Sequence, residues 1–576
     1  MSNQTPSKGL STNFLLFLIL LGLASCVYVA LNIGEKITPT ESAITWNVSD
    51  LVTALFEGTI DWPFASWFVL TGIILVLVFG ISVFIFAFAS GKNDYKPEGK
   101  SVLTMTGLKP ALRKAQQIYG SKVTNKTVAT YIVLVAYLGA AQKKPLYVQL
   151  EDSMWVYAPA RAGKTLGIAV PLMLQAQGPL LNTSTKIDNF VWTAIHREKL
   201  GEVVVFDLED ITGWPSKVRY TPIFGCEVEK EAVARGKAWA KAAPMEGTKN
   251  GSFFENKAGT ILSRLLHAAA IDNRPMREFV EWVFDPQDDE PINILLQHGK
   301  SPAFIQALRE RTSSRAGETA DSIESTLVTL VEPLVAEDIM CQFDFRPDEA
   351  FNIDKFLEGS NSLYLVVDGD DSPLGSLSTM FADQIYRAAR KKSQQQASGR
   401  LWPVFTMVLD EATNVAAFSK MGQLLSDSGG RGIQVIGISQ TKDQNEERWG
   451  KNGAEIIEKN ANLKILFPGT DSDHLKKYAS EMGQKKESRR SVSSSRGGGS
   501  TTHSTERIDV ARPEQLKQLD PGKVTLAYRS AAPQVVHLEM LWQRKDFKNL
   551  VAQRDEALRR CGKVFADQEA VDGVKK

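Results

Sequence analysis

Met154–Thr165 reads Met-Trp-Val-Tyr-Ala-Pro-Ala-Arg-Ala-Gly-Lys-Thr, and Leu166–Gln177 continues in a helical pattern. An apolar strand, a loop of small residues ending Gly-Lys-Thr, and then a helix is the context of a phosphate-binding loop. The physics asks for these residue types. Backbone N–H groups exposed at a helix start attract anionic phosphate, and small residues let the backbone approach it closely. The candidate phosphate-binding residues are Pro159, Ala160, Arg161, Ala162, Gly163, Lys164 and Thr165. In such a loop Lys164 reaches the outer phosphates and the Thr165 hydroxyl can hold Mg²⁺. Ala158 stands where the usual pattern has glycine. It closes the strand, so alanine fits if its φ is negative.

The chain has 576 residues, enough for several domains, and 67 basic against 66 acidic side chains. That balance leaves no global basic footprint, so any nucleic-acid contact must be local. Cys26, Cys226, Cys341 and Cys561 are far apart and form neither a metal pattern nor a disulfide framework. The histidines show no ligand spacing.

Two uncharged apolar stretches, about 14–33 and 65–90, are each long enough to cross a bilayer as a helix. The loop between them carries Glu35, Glu41, Asp50, Glu57 and Asp61 but only Lys36 as a base. Lys92, Lys96, Lys100, Lys109, Arg113 and Lys114 follow the second stretch. The positive-inside rule then places both termini and the long C-terminal body in the cytoplasm. Residues 1–100 are expected to be a transmembrane anchor.

After a polar lead-in with helical pieces at Pro110–Tyr119 and Val128–Ala141, strand and helix patterns alternate. Apolar strand runs are Leu180–Asp188, Val203–Asp207, Leu363–Asp368, Val404–Glu411, Ile433–Ser439, Asn462–Phe467 and Val524–Tyr528. Such continuous runs predict an α/β parallel sheet covered on both faces. From 228 to 347 only helical periods appear, which predicts an inserted all-α domain. The motor-like body is then discontinuous, 101–227 and 348–576. Residues 487–505, rich in serine and glycine, are expected to be a flexible surface loop.

A nucleotide-hydrolysing site needs a second acidic element at a buried strand end. Asp410 and Glu411 close the run Phe405–Leu409 in that way. Asp410 has the form of an Mg²⁺ holder and Glu411 that of the catalytic base; a solvated strand end is the competing reading. Gln440, at the next such strand end, reads as a phosphate sensor or an ordinary polar terminus. Arg431, in Gly-Gly-Arg-Gly, reads as an arginine finger toward a neighbouring subunit or a solvated turn residue. Lys186 and Asp188 lie near the nucleotide or form a local turn pair. Arg161 contacts phosphate or a neighbouring subunit, or neither.

Together these motifs resemble the type IV secretion coupling proteins, the conjugative DNA-transfer ATPases of TraG/TraD type. The resemblance rests on Pro159–Thr165, Ser184-Thr185-Lys186-Ile187-Asp188, Ser362–Val366, Leu409-Asp410-Glu411-Ala412-Thr413-Asn414, and Gly430–Gln434 running to Ser439-Gln440. It implies a RecA-like P-loop motor, hexameric, on the cytoplasmic face of the bacterial inner membrane. It implies ATP and Mg²⁺ as cofactors. Lys164 and Thr165 would bind nucleotide, Asp410 Mg²⁺, Glu411 would act as base, and Gln440 would sense nucleotide. Implied partners are the relaxase and relaxosome, single-stranded DNA and the components of a type IV secretion channel. A protein-only secretion ATPase is the main alternative, and a double-strand DNA translocase a lesser one.

Overall fold

The structure, a computed structural model, describes residues 12–40, 62–90, 101–120, 132–138, 144–242, 251–313, 318–343, 349–368, 374–495 and 498–563, with a few isolated positions between them. The chain separates into two compact units, one of residues 1–95 with 485–506, the other of 96–484 with 507–576.

In the first unit, helices Thr12–Ile37 and Phe64–Ser90 pack on each other. They approach closely where Gly34 meets Ser66; a methyl group on Gly34 would sit 2.0 Å from Ser66 Oγ. The Ala65 N–H donates to Thr38 Oγ1 at 3.2 Å. Among the described residues no helix is long and apolar enough to cross a membrane, so the expected spans find no support there. Most of the side chains in the stretches 14–33 and 65–90 lie outside that description.

The second unit is built on an eleven-stranded sheet. Its strands are β1 (Ile132–Leu138), β2 (Lys144–Gln149), β3 (Met154–Tyr157), β4 (Leu180–Ser184), β5 (Val203–Phe206), β6 (Ser362–Val366), β7 (Phe405–Leu409), β8 (Ile433–Ser439), β9 (Leu463–Leu466), β12 (Lys523–Tyr528) and β13 (Gln534–His537). Their spatial order is β2-β1-β13-β12-β9-β3-β8-β7-β4-β6-β5. From β9 to β5 every neighbouring pair is parallel; β12, β13, β1 and β2 add on antiparallel. The sheet is therefore mixed, where an all-parallel sheet was expected. The short connections from β1 to β2 and from β12 to β13 permit hairpins, whereas a parallel return needs a longer crossover.

Two further expectations are corrected. Ile132–Leu138, expected within a helix, is strand β1, since its β-branched residues pair with Lys144–Gln149 and bury Val135 and Ala136. The rest of the expected helix, 128–131 and 139–141, lies outside the described residues. The serine- and glycine-rich 487–505 lies in a two-stranded hairpin, β10 (Gln484–Ser495) with β11 (Gly498–Asp509). Serine and threonine satisfy a backbone ladder without offering a core, so composition alone did not reveal it.

The central strands are buried on both faces, which is why they read as unbroken apolar runs. Along β7, Phe405, Met407 and Leu409 face one core; Val408 faces the other. The first core joins Gly375–Gln395 to the helical stretch 229–343, whose Trp239, Leu262 and Phe279 share one cluster with Leu363 and Phe405. The second core receives Val170–Gln175, Asp188–Glu198 and Phe547–Arg560.

Candidate nucleotide site

The carboxyl ends of the parallel strands meet at one edge. Tyr157 is in register with Ser439, Leu409 with Gly437, and Thr183 with Leu409. Open parallel sheets bind ligands outside this edge. The loop Ala158–Lys164 leaves β3 there, tied by the Ala158 N–H to Ser439 O at 3.0 Å. Ala158 is not among the residues with positive φ, so alanine is accommodated at the strand end. Arg161 has φ 62° and Gly163 φ 91°. The second value is natural to glycine and strained for any other residue. A widened turn, Thr165–Ala169, opens the following helix.

The acidic element sits directly across. Lys164 Nζ lies 2.9 Å from Asp410 Oδ1 and 3.3 Å from Glu411 Oε1. Asn189 Nδ2 donates to Asp410 Oδ2 at 3.1 Å, and the Glu411 N–H donates to Asp410 Oδ1 at 3.1 Å. Thr185 Oγ1 donates to Glu411 Oε2 at 2.9 Å. Glu411 holds φ 52°, an uncommon conformation for a non-glycine residue and one that clusters at functional sites.

The three charged side chains are only 7–16% exposed. Burial pushes the Asp410 carboxyl above the ordinary carboxylate range, against the pull of the Lys164 charge. Burial alone would lower the Lys164 pKa, but Asp410 and Glu411 outweigh it and hold it above the usual lysine value. Lys164 therefore stays charged at neutral pH. Among the described residues no three His, Cys, Asp or Glu side chains gather to hold a metal unaided. Asp410 and Glu411 at the strand end supply the one or two carboxylates that Mg²⁺ takes beside substrate phosphates.

Residues 404–521 match the family model described as the TraM recognition site of TraD and TraG. Over that segment the chain is similar to the TraG/TraD coupling proteins. No curated protein sequence matches it. The bacterial conjugative coupling protein TrwB, in an unbound monoclinic form, superposes with TM-score 0.50 at 11% identity, over 75% of this chain and 92% of that one. TrwB in complex with ADP and Mg²⁺ gives 0.49 at 11% identity, over 68% and 86%. VirB4 of Thermoanaerobacter pseudethanolicus gives 0.40 at 12% identity, over 71% and 96%. The first of these likenesses supports the fold.

The edge gathers Lys164, Thr165, Asp410 and Glu411, and Gln440 follows β8 beside the loop. The Gln440 N–H donates to Gln444 Oε1 at 3.2 Å. Arg431 is not brought in. It precedes β8 at the opposite end, roughly 20 Å away by strand rise, and makes two hydrogen bonds to Asp427, at 2.7 and 3.1 Å. Within one chain it cannot reach the nucleotide edge. Lys186 and Asp188 flank the residues that do make contact, Thr185 and Asn189. Sequence reading missed both; their signal lay in the same Ser-Thr-Lys-Ile-Asp-Asn run at the end of β4.

Two later segments support the site. Met540 packs on the loop: a methyl group on Gly163 would stand 3.2 Å from its Cε, and one on Gly167 3.0 Å from its Sδ. The helix Phe547–Arg560 holds Asp188–Glu198, with Phe547 stacked on Trp192 at 6.1 Å and Arg554 over Trp192 at 4.8 Å. That second helix carries Asn189 to Asp410.

Proposed function

We propose that this chain is an ATP-hydrolysing motor of the TraG/TraD type that brings relaxase-bound DNA to a type IV secretion channel and drives its transfer. The observation that carries the reading is the Lys164 bridge to Asp410 and Glu411 across the end of the sheet. A cation on a glycine-containing loop, facing two adjacent carboxylates, is an arrangement suited to phosphoryl transfer.

The bridge and the resemblance of the motifs support the following roles. Lys164 leaves the carboxylates to pair with the outer phosphates of ATP. Asp410, oriented by Asn189, and the Thr165 hydroxyl hold Mg²⁺. Glu411, held by Thr185, takes the proton of the attacking water. Gln440 reads the terminal phosphate. Bound Mg²⁺ supplies neutralisation of phosphate charge. Arg431 would act only across a subunit boundary, as an arginine finger in a hexamer. The two uncharged stretches with a basic flank support anchoring of residues 1–100 in the bacterial inner membrane, both termini cytoplasmic. The helices of 228–347 would face the cytoplasm and meet substrate.

The test is ATP hydrolysis by the full chain in detergent, with and without single-stranded DNA, beside Lys164→Ala and Glu411→Gln. DNA should raise the rate. Each substitution should lower it by about 10²-fold or more, Glu411→Gln while keeping nucleotide affinity. Hydrolysis indifferent to DNA would favour a protein-only secretion ATPase. Unchanged rates in both variants would overturn the motor reading.

A further inference from the structure

The turn Gly429–Gly432 carries Arg431 at the amino end of β8, and its backbone is fixed from two sides. On one side stands Glu151, in the connection from β2 to β3. A methyl group on Gly429 would sit 2.3 Å from Glu151 O. On the other side stands Leu401. A methyl group on Gly432, which has φ 71°, would sit 2.5 Å from Leu401 O. Glycine alone permits both approaches, and the second also uses its freedom at positive φ. The Leu401 N–H donates to Arg431 O at 2.8 Å, and the Phe405 N–H to Gly432 O at 3.0 Å.

Side chains complete the clamp. Arg400 pairs with Glu151 and donates from the same Nη1 to Gly429 O at 3.2 Å. Tyr119 Oη, at the end of the helix Leu108–Tyr119, donates to Glu151 Oε1 at 2.8 Å. The Glu151 carboxylate is thus held by two donors, one of them charged, which makes a strong and directional contact. A glycine-rich turn left to itself samples many conformations. This one is held by groups 29 and 278 residues earlier in the chain, at Arg400 and Glu151.

The Arg431 side chain is held far more loosely than its backbone. Its bridge to Asp427 is partly exposed on both sides, and pairs of that kind contribute little. Arg390 Nε stands 3.3 Å from the same Asp427 oxygen, so Asp427 keeps a cation when Arg431 swings out. A methyl group on Gly430 would meet nothing within 4 Å, so the tip of the turn faces open space. A rigid base, a replaceable partner and an open approach are what a cation needs to meet a group on another molecule in one orientation. A solvated turn arginine needs no rigid base.

We infer that Arg400 and Glu151 are positioning residues for Arg431: they hold the turn so that its guanidinium meets the nucleotide of a neighbouring subunit, and Tyr119 ties that hold to the helix Leu108–Tyr119. The inference rests on the reading of Arg431 as a finger across the subunit boundary. The test mixes two full-length variants in detergent and follows ATP hydrolysis. Glu411→Gln lacks the catalytic base but keeps its own Arg431; Arg431→Ala keeps its base but has no finger to offer. The mixture should hydrolyse about 10-fold or more faster than either variant alone, since a finger contributes ~10³ or more to the rate. Arg400→Gln placed in the Glu411→Gln chain should remove that recovery. The same change placed in the Arg431→Ala chain should leave it, with the KM for ATP unchanged. Tyr119→Phe in the Glu411→Gln chain, a milder change, should cut the recovery a few-fold. Full recovery with Arg400→Gln in the finger-donating chain would overturn the inference and leave the finger reading standing. Equal loss from either chain would overturn it as well, because a fold defect acts from both sides. No recovery in the starting mixture would overturn the finger reading, and the inference with it.

Discussion

Lys164 Nζ stands 2.9 Å from Asp410 Oδ1, joining the loop after β3 to the end of β7 across the intervening β8. The pair is nearly dry, so the lysine that would bind phosphate also holds the two carboxylates together without it. Lys164→Met should therefore do more than abolish hydrolysis. It leaves two adjacent buried carboxylates with no cation, and stability should fall by about 3 kcal/mol. Adding Asp410→Asn should recover part of that loss while activity stays absent. Urea unfolding of the three chains reads it; no stability change in Lys164→Met would show that the bridge contributes nothing to the fold.

Thr185 and Asn189 each hold a different carboxylate, so their removal should separate two functions. Asn189→Ala should raise the Mg²⁺ concentration needed for half-maximal hydrolysis by about 10-fold, because Asp410 loses its orienting donor. Thr185→Val should lower kcat by about 10-fold and leave the Mg²⁺ requirement unchanged, because it frees Glu411 alone. Magnesium titrations of both variants decide this. Identical behaviour in the two would mean the carboxylates act as one unit.

The phosphate loop and the acidic strand end were legible because each is short-range chemistry: Gly163-Lys164-Thr165 after one apolar run, Asp410-Glu411 after another. The central strands were legible because burial on both faces forces unbroken apolar residues. Thr185 and Asn189 were hidden because a threonine and an asparagine after a strand look the same whether or not a carboxylate lies 226 or 221 residues away. Val128–Ala141 misled because Ile132-Val133-Leu134-Val135 has no period of its own, and its strand partner decides. Arg431 read equally as a finger toward a neighbouring subunit or as a turn residue; strand direction sets it at the far edge of its own sheet.

Gly163 and Gly167 both face Met540, yet their substitutions should behave differently. Gly167→Ala meets the end of a flexible side chain, Met540 Sδ at 3.0 Å, and also Leu538 Cδ1 at 3.2 Å. Nucleotide affinity should drop a few-fold and return largely with Met540→Ala. Gly163→Ala carries φ 91° as well, a strain of about 1 kcal/mol or more that no change at Met540 relieves. Titration with a fluorescent nucleotide measures both; rescue of Gly163→Ala by Met540→Ala would show that crowding, not backbone strain, governs the loop.

Glu458 links the acid stability of the protein to the strand below the loop. It is nearly fully buried and accepts from Lys477 Nζ and Tyr478 Oη, each at 2.7 Å, with His474 Nε2 3.3 Å away. His474 in turn lies edge-on to Tyr157, the last residue of β3, at 4.5 Å. Burial alone would raise the Glu458 carboxyl; the bonds from Lys477 and Tyr478, with His474 close by, outweigh it and hold the pKa far below the usual value of 4.5. A carboxyl depressed in the folded state contributes stability that is present above the unfolded pKa and lost as pH falls below it. The parent chain should thus lose stability progressively below pH about 4.5. Glu458→Gln should be less stable at pH 7 by about 2 kcal/mol, the loss of charge-assisted hydrogen bonds. It should also show a shallower decline on acidification. Denaturant midpoints at neutral and acid pH test this directly. Parallel declines in the two chains would assign the acid sensitivity to other carboxylates.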